Sequence, residues 1–255
     1  MHHKIAIIIQ ARAASTRLPN KVILPFYNGL SILDIIIQGL KKNKNKIEII
    51  LATTTNSKDD SVADIAVKNN ISVFRGDENN VLERFVKCAE KYNISKIIRV
   101  CADNPFILIK YVDELIELGA NKEFDYISYK NSIGIPVIKT HFGLFAEFVN
   151  LSALKNVAKR TDNEIYFEHV TNYIYTHPDF FKVKLIPLPD LLINRNDLRF
   201  TCDTIEDFNM LKKLYAAYVL TYNSTDIDLE KLLLLVNNNK DFLKVMEKGI
   251  KQFQK

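Results

Sequence analysis

Apolar residues in this chain fall in short unbroken runs, separated by stretches in which they recur at helical spacing. Ile5-Ala-Ile-Ile-Ile9 is apolar at every position, the pattern of a strand buried on both faces of a parallel sheet. Ile47–Thr53, the shorter Ser72–Phe74 and Lys96–Val100 repeat it. Between these runs, Ser31–Lys42, Asp60–Asn70, Val81–Lys91 and Ile109–Gly119 read as amphipathic helices. Ser31-Ile-Leu-Asp34 opens the first as a capping box, and Val81, Phe85, Cys88 and Ala89 form one stripe on the third. Strand alternating with helix predicts a three-layer α/β fold around a doubly wound, mostly parallel sheet.

The rhythm changes near Asp125. Tyr126–Ser128, Pro136–Lys139 and Leu144–Val149 read as short strands with no helix between them. Leu151–Arg160 and Ile165–His177 read as helices, Phe180–Ile186 as a strand closed by Pro187 and Pro189, and Leu198–Thr201 as a last strand. Thr204-Ile-Glu-Asp207 is a second capping box, starting a helix to about Tyr218. From Asp228 the tail is helical, rich in leucine at its start and in lysine at its end. Repeats and low-complexity linkers are absent. The expected organisation is one domain over 1–255, with a small mixed arm at about 125–190 and a helical tail at about 222–255.

Composition narrows the partners. Hydrophobic residues at 47% and charged residues at 25% are ordinary for a soluble globular protein. No apolar run approaches the roughly 20 residues that span a bilayer, and the first strand begins at once without a signal-peptide layout. The net charge of +5 is spread along the chain, densest at Lys41–Lys46 after a helix. That suits small anionic substrates and is too diffuse for nucleic acid. Cys88, Cys101 and Cys202 include no Cys-x-x-Cys pair, so neither disulfides nor a structural zinc is expected, and the protein reads as cytoplasmic. Cys101 and Cys202 read as small packing residues. His2 and His3, at the terminus, are assigned no role.

The candidate chemistry follows the first strand. Gln10 begins a polar loop carrying Arg12, Ser15, Thr16, Arg17 and Lys21, with small residues at Ala11, Ala13 and Ala14. Cations and hydroxyls just past the carboxyl end of a strand suit a polyanion, in the crevice where open α/β sheets bind ligands; a plain solvated loop is the alternative. Neither the P-loop nor the dinucleotide fingerprint occurs. Asp103 and Asp203 each directly follow a predicted strand and would emerge at the same edge. Singly, either could be a turn or cap residue. Together, beside a cationic loop, they favour a Mg²⁺ site, because Mg²⁺ takes only one or two protein carboxylates and keeps water and phosphate oxygens otherwise.

Gln10-Ala-Arg-Ala-Ala-Ser-Thr-Arg-Leu-Pro-Asn-Lys-Val22 resembles the signature loop of the bacterial cytidylyltransferases of the spore-coat-polysaccharide type, relatives of CMP-Kdo synthetase and acylneuraminate cytidylyltransferase. Five more segments share the resemblance in order: Ile50–Asp60, Val73–Arg84, Arg99-Val-Cys-Ala-Asp-Asn-Pro105, Glu168-His-Val-Thr171 and Phe200-Thr-Cys-Asp-Thr-Ile-Glu-Asp-Phe208. It runs from about Ile5 to Phe208 and leaves the tail after Tyr218 outside. It implies a Rossmann-like sheet of the nucleotide-diphospho-sugar transferase type and transfer of CMP from CTP to a small sugar-acid or phosphorylated acceptor, with pyrophosphate released. Arg17 and Lys21 would carry the chemistry with Asp103 and Asp203. Gln10, Ala11, Arg12, Ser15, Thr16, Thr53, Arg75 and Gly76 would hold the nucleotide; Glu147, Glu168 and His169 would face the acceptor; Asp103 and Asp203 would bind Mg²⁺. Arg75 also reads as a turn residue, His169 as a packed helix-face histidine, and Glu147 as solvent-exposed. The family usually has glycine at positions 14 and 20. Asn20 tolerates a left-handed backbone, whereas Ala14 puts a Cβ where backbone would approach phosphate.

Two other classes remain. A glycosyltransferase using a nucleotide sugar would want an Asp-x-Asp motif, and Asp226-Ile-Asp228 matches it at the start of a tail helix, where capping explains it. A nucleotide-binding regulatory subunit would have no use for two metal-ready aspartates. Ile165, Phe167, Tyr173 and Ile174 exceed what one short helix needs to cover its base, so a homodimer through the arm is expected.

Overall fold

The computed structural model describes residues 4–121 and 123–253; His2 and His3 lie outside the described residues. The first half runs β1 (Ile5–Gln10), β2 (Pro25–Tyr27), β3 (Leu30–Ser31), α1 (Ile32–Leu40), β4 (Glu48–Thr54), α2 (Asp60–Lys68), β5 (Ser72–Gly76), α3 (Val81–Lys91), β6 (Lys96–Cys101) and α4 (Ile109–Asn121). The second half adds β7 (Tyr126–Lys130), β8 (Glu147–Asn150), α5 (Leu151–Arg160), α6 (Glu164–Glu168), α7 (Asn172–Thr176) and β9 (Val183–Pro187), then α8 (Ile205–Tyr222), α9 (Leu229–Asn237) and α10 (Lys240–Gln252).

Seven strands form one sheet in the order β5-β4-β1-β6-β8-β7-β9, beside the two-stranded β2-β3 hairpin. β5, β4, β1 and β6 are parallel, and Ile7 pairs with both Ile49 and Ile98. β8 runs against both β6 and β7, while β9 is parallel to β7. The unbroken apolar run of β1 is explained by its two faces. Ile7 and Ile9 enter a core with residues of α1, α4 and α8, and Ala6 and Ile8 enter a second core with residues of α3 and α5. Burying each isoleucine contributes about 1.5–3 kcal/mol. Because the central strands are parallel, Gln10, Thr54, Gly76 and Cys101 end at one edge. The reversed β8 starts at that edge, with Glu147 opposite Arg99.

Several expectations are corrected. The β2-β3 hairpin turns at Asn28 and Gly29, both at positive φ (46° and 78°), the Asn-Gly signal for a tight hairpin. Pro136–Lys139 is not a strand: Val137–Lys139 is a 3₁₀ turn, and only Lys130 and Pro136 bridge, since proline has no N–H for a ladder. The strand expected over Leu144–Val149 begins only at Glu147. The helix expected over Ile165–His177 breaks into α6 and α7, with His169 out of the helical region at φ −94° and ψ 69°. There Val170 is buried and Thr171 bonds Glu147, so tertiary contacts override the local period. Leu198–Thr201 is buried but joins no sheet; the Phe200 and Cys202 N–H groups donate to His141 and Asp103 carbonyls instead.

The 125–190 stretch gives β7, β8 and β9 to the main sheet rather than building its own. Of the residues behind the dimer expectation, Ile174 is fully buried, and Phe167 and Tyr173 pack against the second core. Only Ile165 stands half exposed. The apolar excess is therefore used mostly within the subunit. Among the described residues, no helix is long and apolar enough to cross a membrane.

Asp34 joins α1 to α2. It accepts from the Ser31 N–H and hydroxyl and, with its other oxygen, from Asn69 and Lys68. Burial raises its pKa, but these hydrogen bonds outweigh burial and hold it below the ordinary 3.8. Its ionised form therefore stabilises the fold fully above 3.8, and this contribution is lost as pH falls through the lowered folded value. Asp34→Asn should accordingly be less stable than wild type at neutral pH, with the gap closing in acid. Urea denaturation of both proteins across a pH series checks this.

Candidate active site

The loop after β1 is fixed from inside. Asn20 takes a left-handed conformation (φ 61°), its N–H donates to the Ala13 carbonyl at 2.9 Å, and its own carbonyl receives the N–H groups of Ile23 and Leu24. The Ala13 N–H donates to the buried Asp59 carboxylate at 2.5 Å, and Thr54 donates its hydroxyl to the other Asp59 oxygen. Ala14 is not among the positive-φ residues, so its backbone conformation does not call for glycine. Arg12, Ser15, Thr16, Arg17 and Lys21 consequently line one cleft of about 250 Å³, together with Gln10, Ala11 and Asp103.

Both predicted aspartates converge on Lys21. Its Nζ lies 3.2 Å from Asp103 Oδ2 and 3.6 Å from Asp203 Oδ1, and donates to the Cys202 carbonyl at 2.6 Å. Burial alone would lower the Lys21 pKa, but the two carboxylates more than offset it and hold the pKa above its ordinary value. Asp203 is opposite in sign: burial pushes its carboxyl up, and Lys21, Arg17 and Arg199 pull it lower than they find it. Arg17 Nη2 sits 2.8 Å from Asp203 Oδ1 and Arg199 Nη2 2.7 Å from Oδ2. Arg199 also grips Asp207 with two bonds of 3.0 Å, and Asp207 Oδ2 accepts the N–H groups of Asp203 and Thr204. The capping box read from sequence thus has a second task, locking Asp203 at the cleft.

A second cleft, about 230 Å³, is lined by Asp103, Asn104, His169, Thr201 and Asp203; a neighbouring one of about 420 Å³ is lined by Arg99, Lys139, His169 and Tyr175. His169 borders both and is exposed, because it sits in the break between α6 and α7 rather than packed on a helix face. Glu147 is not solvent-exposed, yet it lines the second cleft. It is buried, held by Arg99, Tyr126 and the Thr171 hydroxyl (2.9 Å). It is also tied to the first cleft through Arg99, whose Nη2 donates to Gln10 Oε1 at 3.0 Å. Glu168 lies on the loop side, 3.6 Å from Arg12, and lines the first cleft rather than the second.

Three expected nucleotide contacts are not gathered with the rest. Arg75 uses its guanidinium on the Thr54 and Asn56 carbonyls and on Asp60, at 2.8, 2.7 and 2.6 Å, the turn role left open from sequence. A Cβ on Gly76 would meet the Phe74 ring at 2.8 Å, so packing explains that glycine. Thr53 is fully buried. Arg84, in the same segment, is fully buried yet leaves Nε and Nη2 without partners, and burial together with Arg12 brings its pKa down to about 10. Sequence reasoning also missed Asp59, Arg99 and Arg199. Only Arg199 carried a signal, its spacing of four from Asp203 and eight from Asp207.

The donor set suits a hard divalent cation. Asp103 and Asp203, which meet at Lys21, are as many protein carboxylates as Mg²⁺ commonly accepts; among the described residues no three His, Cys, Asp or Glu side chains converge. Asn104 Oδ1 and Thr201 Oγ1, buried on the same cleft, have no hydrogen-bond partner. They offer neutral oxygens to a ligand shell.

Residues 6–242 match the family model for cytidylyltransferases. The chain is 33% identical over 242 residues to the spore coat polysaccharide biosynthesis protein SpsF of Bacillus subtilis, covering 93% of this chain and 95% of that one. It is similar to the solved cytidylyltransferase of Leptospira borgpetersenii serovar Hardjo-bovis at TM-score 0.83 and 30% identity, covering 95% and 97% of the two chains. It shares a fold, at TM-score 0.62 and 14% identity, with CMP:2-keto-3-deoxy-manno-octonic acid synthetase complexed with CTP, covering 84% and 99%.

Gly143 backs the segment that delivers Asp203. At φ 60°, a Cβ there would come within 2.9 Å of the Phe200 and Thr201 backbone. Gly143→Ala combines a left-handed strain of about 1–2 kcal/mol with overpacking of about 1–3 kcal/mol. Gly134, at φ 84° with open space around it, carries only the first. Denaturation midpoints should therefore fall further for Gly143→Ala than for Gly134→Ala.

Proposed function

The chain belongs to the cytidylyltransferase family, and from that premise we propose that it transfers CMP from CTP to an acidic sugar or phosphorylated acceptor and releases pyrophosphate. The observation that carries this reading is the convergence of Asp103 and Asp203 on Lys21 at the mouth of a cationic loop. Phosphoryl transfer depends on positioning and charge neutralisation more than on acid–base chemistry. Lys21, held as a cation, and Arg17, half exposed, face the place where a triphosphate would lie; Arg12, Ser15 and Thr16 line the same wall. Asp103 and Asp203 would hold Mg²⁺, which when bound supplies Lewis-acid neutralisation of phosphate charge. A carboxyl kept below its ordinary pKa, as Asp203 is, suits a ligand better than a general base. Beyond the aspartates, His169, Lys139 and Arg99 line the space left for an anionic acceptor.

The CTP-bound synthetase supports CTP as the nucleotide, and SpsF supports a role in making a polysaccharide precursor. The reading is of a cytoplasmic enzyme. The glycosyltransferase alternative finds no site: Asp228 caps α9 and Asp226 pairs with Lys42. A homodimer remains part of the reading, through the face carrying the exposed Ile165. Light scattering should then give a dimer mass, and a monomer at working concentration overturns it.

The central test is pyrophosphate release on mixing with CTP, Mg²⁺ and an acceptor panel. CTP should be preferred over UTP, ATP and GTP by about 10⁴ or more, since a wrong base leaves buried polar partners unpaired; equal use of all four rejects the assignment. Asp103→Asn and Asp203→Asn should each retain the fold and lose about 10²–10³ in turnover. The double variant should be scarcely worse than either, as for residues acting as a unit. Near-normal turnover in both would reduce the aspartates to caps.

A further inference from the structure

The C-terminal helix returns to the cleft. α10 is anchored by the buried Phe242 and Met246, and its last turn lies over the arginines that grip Asp203. Gly249 is buried inside this helix, where glycine is ordinarily less favourable than alanine. Here it is required, because a Cβ would stand 2.8 Å from Arg199 Cδ and Nε and 3.2 Å from Asp207 Oδ1. One turn on, the Phe253 ring meets two guanidinium groups, with its centroid 5.0 Å from Arg17 Cζ and 5.2 Å from Arg199 Cζ. These two arginines hold opposite oxygens of the Asp203 carboxylate.

We propose that Phe253 is a positioning residue of the nucleotide site: its π face holds Arg17 beside Asp203, ready to meet a triphosphate, and so makes α10 a working part of the cleft. This rests on the cytidylyltransferase reading above. Arg17 and Arg199 are like charges brought to one carboxylate. A ring between them offers both a favourable electrostatic surface without adding a second acid that would compete with phosphate. Arg199 is fully buried and fixed by Asp207, so the ring is set against a rigid partner. Arg17 is half exposed and, among the described residues, tied to a carboxylate only at Asp203. When a phosphate draws Arg17 off Asp203, the ring remains as its second contact and keeps the guanidinium over the cleft. Among the described residues, the loop's Ser15 and Thr16 have no such anchor on the tail, so the effect is specific to Arg17.

The test is calorimetric binding of CTP and of inorganic tripolyphosphate, with steady-state KM and kcat alongside. Phe253→Leu keeps an apolar contact and removes the aromatic face; both dissociation constants and KM for CTP should rise about five- to tenfold. Phe253→Tyr, which keeps the aromatic face, should bind like the wild type. In an Arg17→Ala background, Phe253→Leu should have no further effect, because the ring acts through Arg17. Melting temperatures of the wild type and the four variants check that binding, not folding, is being read. Wild-type binding by Phe253→Leu, or an equal loss in the Arg17→Ala background, overturns the inference and leaves the reading of the site intact. Failure of the wild-type protein to bind either ligand overturns the reading itself and this inference with it.

Discussion

A single buried ammonium organises the functional edge of this protein. Lys21 joins three segments far apart in sequence: the loop after β1, the end of β6 at Asp103, and the stretch before α8 at Cys202 and Asp203. Two carboxylates brought this close would repel, and each would resist burial. The ammonium between them removes the repulsion and is itself kept charged by them, although burial works against it. Removing the ammonium would leave the two carboxylates without the cation they share. The surroundings reinforce it: Asn20 turns the loop so that Lys21 points inward, Asp59 ties the loop to the end of β4, and Arg199 with Asp207 fixes Asp203 from behind.

The sheet explains why these pieces meet. Parallel strands deliver their carboxyl ends to one side, and β8, entering in reverse, brings Glu147 to that side opposite Arg99. The pair is buried, and two hydroxyls complete the carboxylate's hydrogen bonds. Such a pair is a weak source of stability and a good source of register. Here the register it sets includes Gln10, the last residue of β1, and Thr171, in the break between α6 and α7. One ion pair therefore relates the wall carrying Gln10 to the opposite wall of the cleft.

What could be read from the chain depended on whether the cause was local. The apolar runs of β1, β4 and β6 declare strands buried on both faces, and Asp103 sits where such a run ends. Asn20 was legible because left-handed backbone has few tolerant residues. Arg75 and Glu147 were not, since a polar side chain's direction is set by partners elsewhere in the chain, here the Thr54 and Asn56 carbonyls and Arg99. The break at His169 was hidden by a helical pattern that continues through it, and Thr171 answers to Glu147 rather than to its neighbours. Leu198–Thr201 was correctly read as buried, but burial does not specify a ladder partner, and this segment pairs with loops. Phe253 offered no pattern at all; its meaning comes only from the two arginines it touches.

The cleft's cations and carboxylates neutralise one another, and this constrains how the site can work. Arg17 and Lys21 both engage Asp203 Oδ1, and Lys21 also engages Asp103. A polyanion that attracts Arg17 removes a counter-charge from Asp203, which then favours a cation in its place. A cation at the aspartates, in turn, weakens their hold on Arg17. The two kinds of ligand should thus assist each other by exchange of partners, with little net change in buried charge. Asp203 is suited to that exchange, since Arg199 keeps its Oδ2 fixed while Oδ1 changes partner. The buried half of the cluster supplies rigidity and the half-exposed Arg17 supplies the movable charge. A loop of solvated lysines could bind phosphate, but it could not couple that binding to the state of a carboxylate.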